Sequence, residues 1–287
     1  MRRKCLLLQP GTVEYGDVIL FLLTTDKHRY KEIYRRVLGI PRRNMKRNSL
    51  LLQFDEIEYG EAWELQKSLL DARVSGKIDD CLILLQHPPT FTYGRRYKED
   101  NLITNKEYYG SLGFAVYKTD RGGLATYHGT GQLVGYPIIK ISTYTKDYYQ
   151  YLRMLEEVMI RTLLDFGITA RRNEGYTGVW VDNAKIGFIG VRMAFGYAMH
   201  GFSLNVNNDV SPFNHIIPCG IQGVRVTSLK ELSNTDIDMK KIYIKIAGHY
   251  SNIFRVQLIP LEDCKVPSPL VGEGRGEGYF RVNTIKP

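Results

Sequence analysis

The chain has 287 residues, is 44% hydrophobic and carries a formal net charge of +9. That apolar content is enough for one sizeable core. The charge resembles a nucleic-acid signal, but its distribution does not. Residues 1–49 hold 12 Lys/Arg against 4 Asp/Glu, and residues 50–261 hold 23 against 22. Residues 262–287 hold 4 of each, so nothing in the central part supports nucleic-acid binding. Cys5, Cys81, Cys219 and Cys264 share no CxxC spacing, and reduced thiols in a cytoplasmic protein are expected. The longest apolar run near the N-terminus, Val18 to Leu23, is too short to span a bilayer, and no small-residue cleavage site follows Cys5-Leu6-Leu7-Leu8.

Residues 1–48 read as a basic N-terminal extension, non-native or disordered, with a short helix at Tyr30–Leu38 and Met45 as the functional start. Residues 49–261 read as one continuous domain. Leu50–Phe54 predicts a strand, and Tyr59–Val74 a helix with Ala62, Leu65, Leu69 and Ala72 at helical spacing. Cys81–Leu85, an apolar run closed by His87-Pro88-Pro89, predicts a buried strand. Phe114–Tyr117 and Leu133–Ile141 read as extended, and Lys146–Phe166 as a long helix stopped by Gly167. Val179–Val181 and Lys185–Phe188 flank the hairpin turn Asp182-Asn183-Ala184. Met199–Val206 predicts another strand. Thr235 with Asp238 resembles a capping box opening a final helix, with Ile242, Ile246 and Ile253 inward. Strands in runs, with helices between and after them, predict an α+β domain with a sheet flanked by helices. Residues 262–287 form a Pro/Gly/Glu-rich tail that cannot bury enough apolar surface to order itself.

Three glycine-flanked segments could carry chemistry. Pro218-Cys219-Gly220 places a thiol on a loop or element end, where it reads either as an exposed nucleophile or as one more buried apolar cysteine, the reading that suits Cys81. Lys185 starts a strand. It reads either as a solvated hairpin residue or as a partly desolvated base, with alternation facing Gly187 the same way and Ile186 and Phe188 opposite. His128 ends Arg121-Gly122-Gly123-Leu124-Ala125-Thr126-Tyr127-His128, either as a structural histidine or beside a backbone that a ligand approaches closely. No GK[ST] follows this stretch, so an ATP-binding phosphate loop is not supported. Metal-ligand spacings such as HExxH are absent from the sequence, and no metal or other cofactor is expected.

Together these segments resemble the lipoyl(octanoyl) transferase family. Leu84 to Arg96, Arg121 to Gln132, Gly178-Val179-Trp180-Val181 with Lys185-Ile186-Gly187, His200 to Asn207, and Pro218-Cys219-Gly220-Ile221 match its motifs in family order, between about Leu50 and Val256. The resemblance implies a lipoate/biotin protein ligase-like fold, related to class II synthetases, around a mixed central sheet. It implies that Cys219 carries an acyl thioester with Lys185 as its dyad partner. It also implies that Arg121, Gly122, Gly123, Leu124, Ala125, Thr126, Tyr127, His128, Phe188, Ile189, Gly190, Gly201, Phe202 and Ser203 line the acyl pocket. Leu124, Thr130, Gly187-Phe188 and Ser203 depart from the family's usual residues, and the bulk of Phe188 bears on acyl chain length.

The implied reaction moves an octanoyl or lipoyl group from acyl carrier protein to Cys219. The group then passes to a lysine of the lipoyl domains of 2-oxoacid dehydrogenase E2 subunits or the glycine cleavage H protein. Thioester exchange is nearly isoenergetic and thioester to amide is downhill, so neither step needs ATP. Three rivals stand beside it: an ATP-dependent lipoate or biotin ligase on the same fold, a catalytically inactive lipoyl-domain or carrier-binding module, and an amidotransferase between two lipoyl domains. A monomer is expected, without nucleic-acid or membrane partners.

Overall fold

The strand Cys81–Leu85 is buried at every position, as its unbroken apolar run predicts, because it lies inside a sheet covered on both faces. The computed structural model describes residues 47–96, 106–111, 113–216, 223–261, 266–267 and 279–280. The expectations for the basic extension before Arg47, the helix at Tyr30–Leu38, the start at Met45, most of the tail and the Pro218-Cys219-Gly220 segment lie outside these residues.

The elements in chain order are β1 (Arg47–Gln53), α1 (Tyr59–Val74), β2 (Cys81–Leu85), β3 (Thr90–Tyr93), α2 (Lys106–Ser111), β4 (Ala115–Lys118), β5 (Ala125–His128) and β6 (Gln132–Lys140). They continue with α3 (Tyr148–Asp165), β7 (Arg171–Asn173), β8 (Tyr176–Val181), β9 (Ala184–Ala194), β10 (Tyr197–Asn205), β11 (Arg225–Val226), α4 (Leu229–Ser233), α5 (Met239–Phe254) and β12 (Val256–Pro260). A short ladder pairs Val266–Pro267 with Tyr279–Phe280.

Among the described residues the main sheet runs β12-β1-β2-β6-β10-β9-β8-β7, with β11 added on β9. It is mixed: β12, β1 and β2 are mutually parallel, while β2–β6, β6–β10, β10–β9, β9–β8 and β8–β7 are antiparallel. A second sheet, β4-β3-β5, stands apart from it. The α+β expectation holds.

Strand alternation feeds two cores. Leu82 and Leu84 turn toward α3 and α5, where Leu155, Met159, Ile242 and Ile246 are fully buried. Cys81, Ile83 and Leu85 turn the other way, onto Ala62, Leu65 and Leu69 of α1. Each such side chain contributes about 1.5–3 kcal/mol on burial. A third cluster joins Phe91, Tyr127, Phe188, Phe213 and Ile216 between the small sheet and β9.

Helix ends follow local chemistry. Asp147 caps α3 by accepting from the Tyr149 N–H, and Gly167 stops it at φ 78°. The Gly167 and Ile168 N–H groups then return to Leu164 O and Leu163 O. At α5 the cap is Asp238, whose carboxylate accepts from the Lys240 N–H at 2.9 Å, and not Thr235. Ile242 and Ile246 face inward as expected, whereas Ile253 is half-buried. No helix of the described residues is long and apolar enough to cross a membrane.

Candidate active site

Lys185 occupies the second position of β9, just after a tight turn whose Asp182 takes φ 49°. Its side chain is 1% exposed. The expected alternation fails here. The pairs Val179↔Gly187 and Trp180↔Lys185 show that β9 carries one extra residue opposite β8. The inserted residue reverses the facing. Gly187 turns onto Met159 of α3, while the Lys185 ammonium lies 5.1 Å from the Phe188 ring centroid and 5.4 Å from that of Trp180. Lys185 therefore shares a face with Phe188, not with Gly187.

The ammonium donates to Thr177 O at 2.8 Å. To reach it the side chain runs across Gly178, which takes φ 127°. A Cβ there would stand 2.7 Å from Lys185 Cε. Glycine is required at this close approach. The Gly178 N–H in turn donates to the buried Glu156 carboxylate at 2.9 Å.

A cavity of about 50 Å³ opens beside this lysine's strand. Its lining includes Arg121, Gly123, Leu124, Ala125, Thr126, His128, Phe188, Ile189, Gly190, Gly201, Phe202 and Ser203, twelve of the residues the sequence pointed to. Gly122 and Tyr127 are not in the wall. Gly122 donates its N–H to Val191 O, and Tyr127 packs edge-on against Phe213. Phe188 is folded flat on Phe213, with ring centroids 4.9 Å apart. Tyr59, Tyr136 and His200 complete the wall and were not assigned to it from sequence. Tyr59 opens α1 and His200 sits beside a glycine in a motif, but neither position announces a cavity.

Arg121 is engaged with backbone. It donates from Nη2 to Thr92 O at 2.6 Å and Leu124 O at 2.8 Å, and from Nη1 to Gly122 O at 3.0 Å. These bonds tie the glycine-rich loop to β3.

His128 and His200 line the cavity, and His87, outside the lining, packs edge-on against His128 with ring centroids 5.5 Å apart. His87 donates from Nδ1 to Ile57 O and accepts at Nε2 from the Tyr136 hydroxyl, both at 2.7 Å. Burial, outweighing the bond to Ile57, drops its pKa to about 4. His128 is held well below the usual imidazole range by burial first and by His87 second. Its tautomer follows from a chain of bonds. Thr227 O can only accept, so Asn205 donates to it through Nδ2 at 3.0 Å. Asn205 Oδ1 therefore accepts from Gln132 Nε2 at 2.8 Å, and Gln132 Oε1 accepts from His128 Nδ1 at 2.7 Å. The proton sits on Nδ1, and Nε2 keeps its lone pair. His200 donates from Nε2 to Asp120 at 2.7 Å, and Asp120 also binds Arg192. Burial outweighs that carboxylate and lowers the His200 pKa. His200 also holds a left-handed φ of 56°, a strained backbone for a residue with a side chain.

Cys219 lies outside the described residues, but both flanks of its segment are placed. Ile216 is buried in the cluster with Phe188, and Val226 pairs with Lys185 in register. The Thr227 N–H donates to Lys185 O.

Comparison with known proteins agrees with this geometry. Residues 58–251 match the lipoyl protein ligase A/B catalytic domain. The octanoyltransferase of Rubrobacter xylanophilus is 48% identical over 197 residues, covering 68% of this chain and 88% of the relative. That of Caldicellulosiruptor saccharolyticus is 42% identical over 225 residues, covering 77% and 95%. A lipoate-protein ligase A crystallised with ATP superposes with a TM-score of 0.61 at 16% identity, covering 75% of this chain and 88% of that one. A bipartite lipoate protein ligase of Thermoplasma acidophilum gives 0.61 at 15%, covering 75% and 86%. These two share the fold. The chain belongs to the lipoyl protein ligase A/B catalytic domain family, alongside its octanoyltransferases.

Proposed function

We propose that residues 49–261 catalyse octanoyl transfer in two steps without ATP. Lys185 takes the proton of Cys219, the thiolate attacks the thioester of octanoyl-acyl carrier protein, and the carrier sulfur leaves as a thiol with that proton returned by Lys185. The ε-amine of a lipoyl-domain lysine then attacks the Cys219 thioester. The C–N bond forms, the C–S bond breaks, and Lys185 takes the amine's proton. Leu124 to Thr126, Phe188 to Gly190 and Gly201 to Ser203 hold the acyl chain.

The observation that carries this reading is a lysine 1% exposed, on the same face as a ring that walls an apolar cavity. The flanks of Cys219 support it. Ile216, three residues before Cys219 in the sequence, is buried in the Phe188 cluster. The acceptors are lipoyl domains of E2 subunits or the H protein, the enzyme acts as a monomer, and its compartment is the cytoplasm.

The test mixes the protein with octanoyl-acyl carrier protein and a lipoyl domain in the absence of ATP. The expected product is an octanoyl amide on one lysine of the acceptor. Transfer that proceeds only from free octanoate with ATP would replace this reading with that of a ligase.

A further inference from the structure

One peptide plane joins Lys185 to a buried carboxylate. The Thr177 carbonyl, which accepts from the Lys185 ammonium, and the Gly178 N–H, which donates to Glu156 Oε1, belong to the same peptide unit. Glu156 lies on α3 with its side chain fully buried. Arg153 at 2.7 Å and Arg172 at 3.1 Å both bind its other oxygen, Oε2. We propose that Glu156 is a positioning residue for Lys185, acting through the Thr177–Gly178 peptide. The inference rests on Lys185 being the proton acceptor of the transfer reaction.

Two physical effects run through this plane. The first is orientation. Gly178 holds φ 127°, and the Glu156 bond on one edge of the peptide fixes where the opposite edge aims its carbonyl. The second is electrostatic. A carboxylate on the N–H side polarises the amide and makes the carbonyl a better acceptor for an ammonium. Two hydrogen bonds and one amide place the carboxylate on the order of 8 Å from Nζ. Arg153 and Arg172 bind Glu156 directly, and Arg172 also binds Glu157.

The test uses the isolated octanoyl-enzyme and follows its deacylation by a lipoyl domain at a single pH. Glu156→Ala removes the acceptor of the Gly178 N–H and should lower the maximal rate by about 10–100-fold, with the KM for the lipoyl domain unmoved. Glu156→Gln keeps an acceptor oxygen at that position and should restore most of the rate. Arg172, 37% exposed, binds Glu156 Oε2, and Arg172→Gln should lower the maximal rate less, which keeps the inference testable if Glu156→Ala fails to fold. A maximal rate per folded molecule that is unmoved in every variant that folds would assign Glu156 a structural role only. A wild type that forms no octanoyl thioester at all would overturn the underlying reading together with this one.

Discussion

The two halves of the main sheet are built on different terms. In the β12-β1-β2 half the strands run parallel, and Leu50, Leu52, Ile83 and Leu84 meet helices on both faces. In the β6-β10-β9-β8 half the strands run antiparallel, a cavity replaces part of one packed layer, and β9 carries an extra residue. The first half is close-packed and stores stability. The second walls a cavity with Phe188 and His200, carries Lys185 on the same face as Phe188, and is joined there by His128 from β5 of the small sheet. Substitutions in the two halves should separate stability from the proposed chemistry.

The largest effect is expected at Lys185. Lys185→Ala should leave the fold intact and lower transfer by about 10²–10⁴-fold, the range of a lost general base. Transfer assays beside a melting curve check both parts. Leu84→Ala tests the opposite half. It removes a fully buried side chain between β2 and the α3/α5 layer and should cost about 2–5 kcal/mol of stability. Transfer per folded molecule should not change, and a large fall would mean that the halves are not independent.

The buried histidines give a pH signature. The His87 pKa is about 4 in the fold against about 6.5 when unfolded, so the unfolded chain binds the extra proton between those values. Stability is complete above about pH 6.5 and falls by about 3 kcal/mol as pH drops to 4. His128 adds a change of the same sign. Denaturant melts of the wild type and His87→Gln between pH 4 and 7 should show the shallower pH dependence in the variant.

The smallest effect is expected at Phe188. Its ring walls the cavity and stacks on Phe213, so Phe188→Ala should lengthen the preferred acyl chain. The gain should be about 4-fold per added methylene, read from competition between octanoyl and decanoyl donors.

The packed half was legible in the sequence because its signals are local. Tyr59–Val74 and Cys81–Leu85 were placed to the residue by helical spacing and by an unbroken apolar run. Twelve cavity residues were also found, through motifs whose order matches the family. What the sequence hid depends on pairing between distant strands. The extra residue in β9 is defined only against β8, and without it alternation pointed Lys185 the wrong way. Glu156 looks like any helical glutamate until α3 packs against Gly178. The His128 tautomer needs Gln132, Asn205 and Thr227 at once, and Thr227 lies 99 positions from His128 in the chain.

The central claim is that Cys219 carries the acyl group and Lys185 moves its proton. Intact-mass measurement after mixing the protein with octanoyl-acyl carrier protein, without ATP, tests it most directly. The wild type should gain one octanoyl group that hydroxylamine removes, and Cys219→Ser should gain no such thioester. A folded wild type that stays unmodified beside intact donor, or an equally labile adduct on Cys219→Ser, would contradict the account.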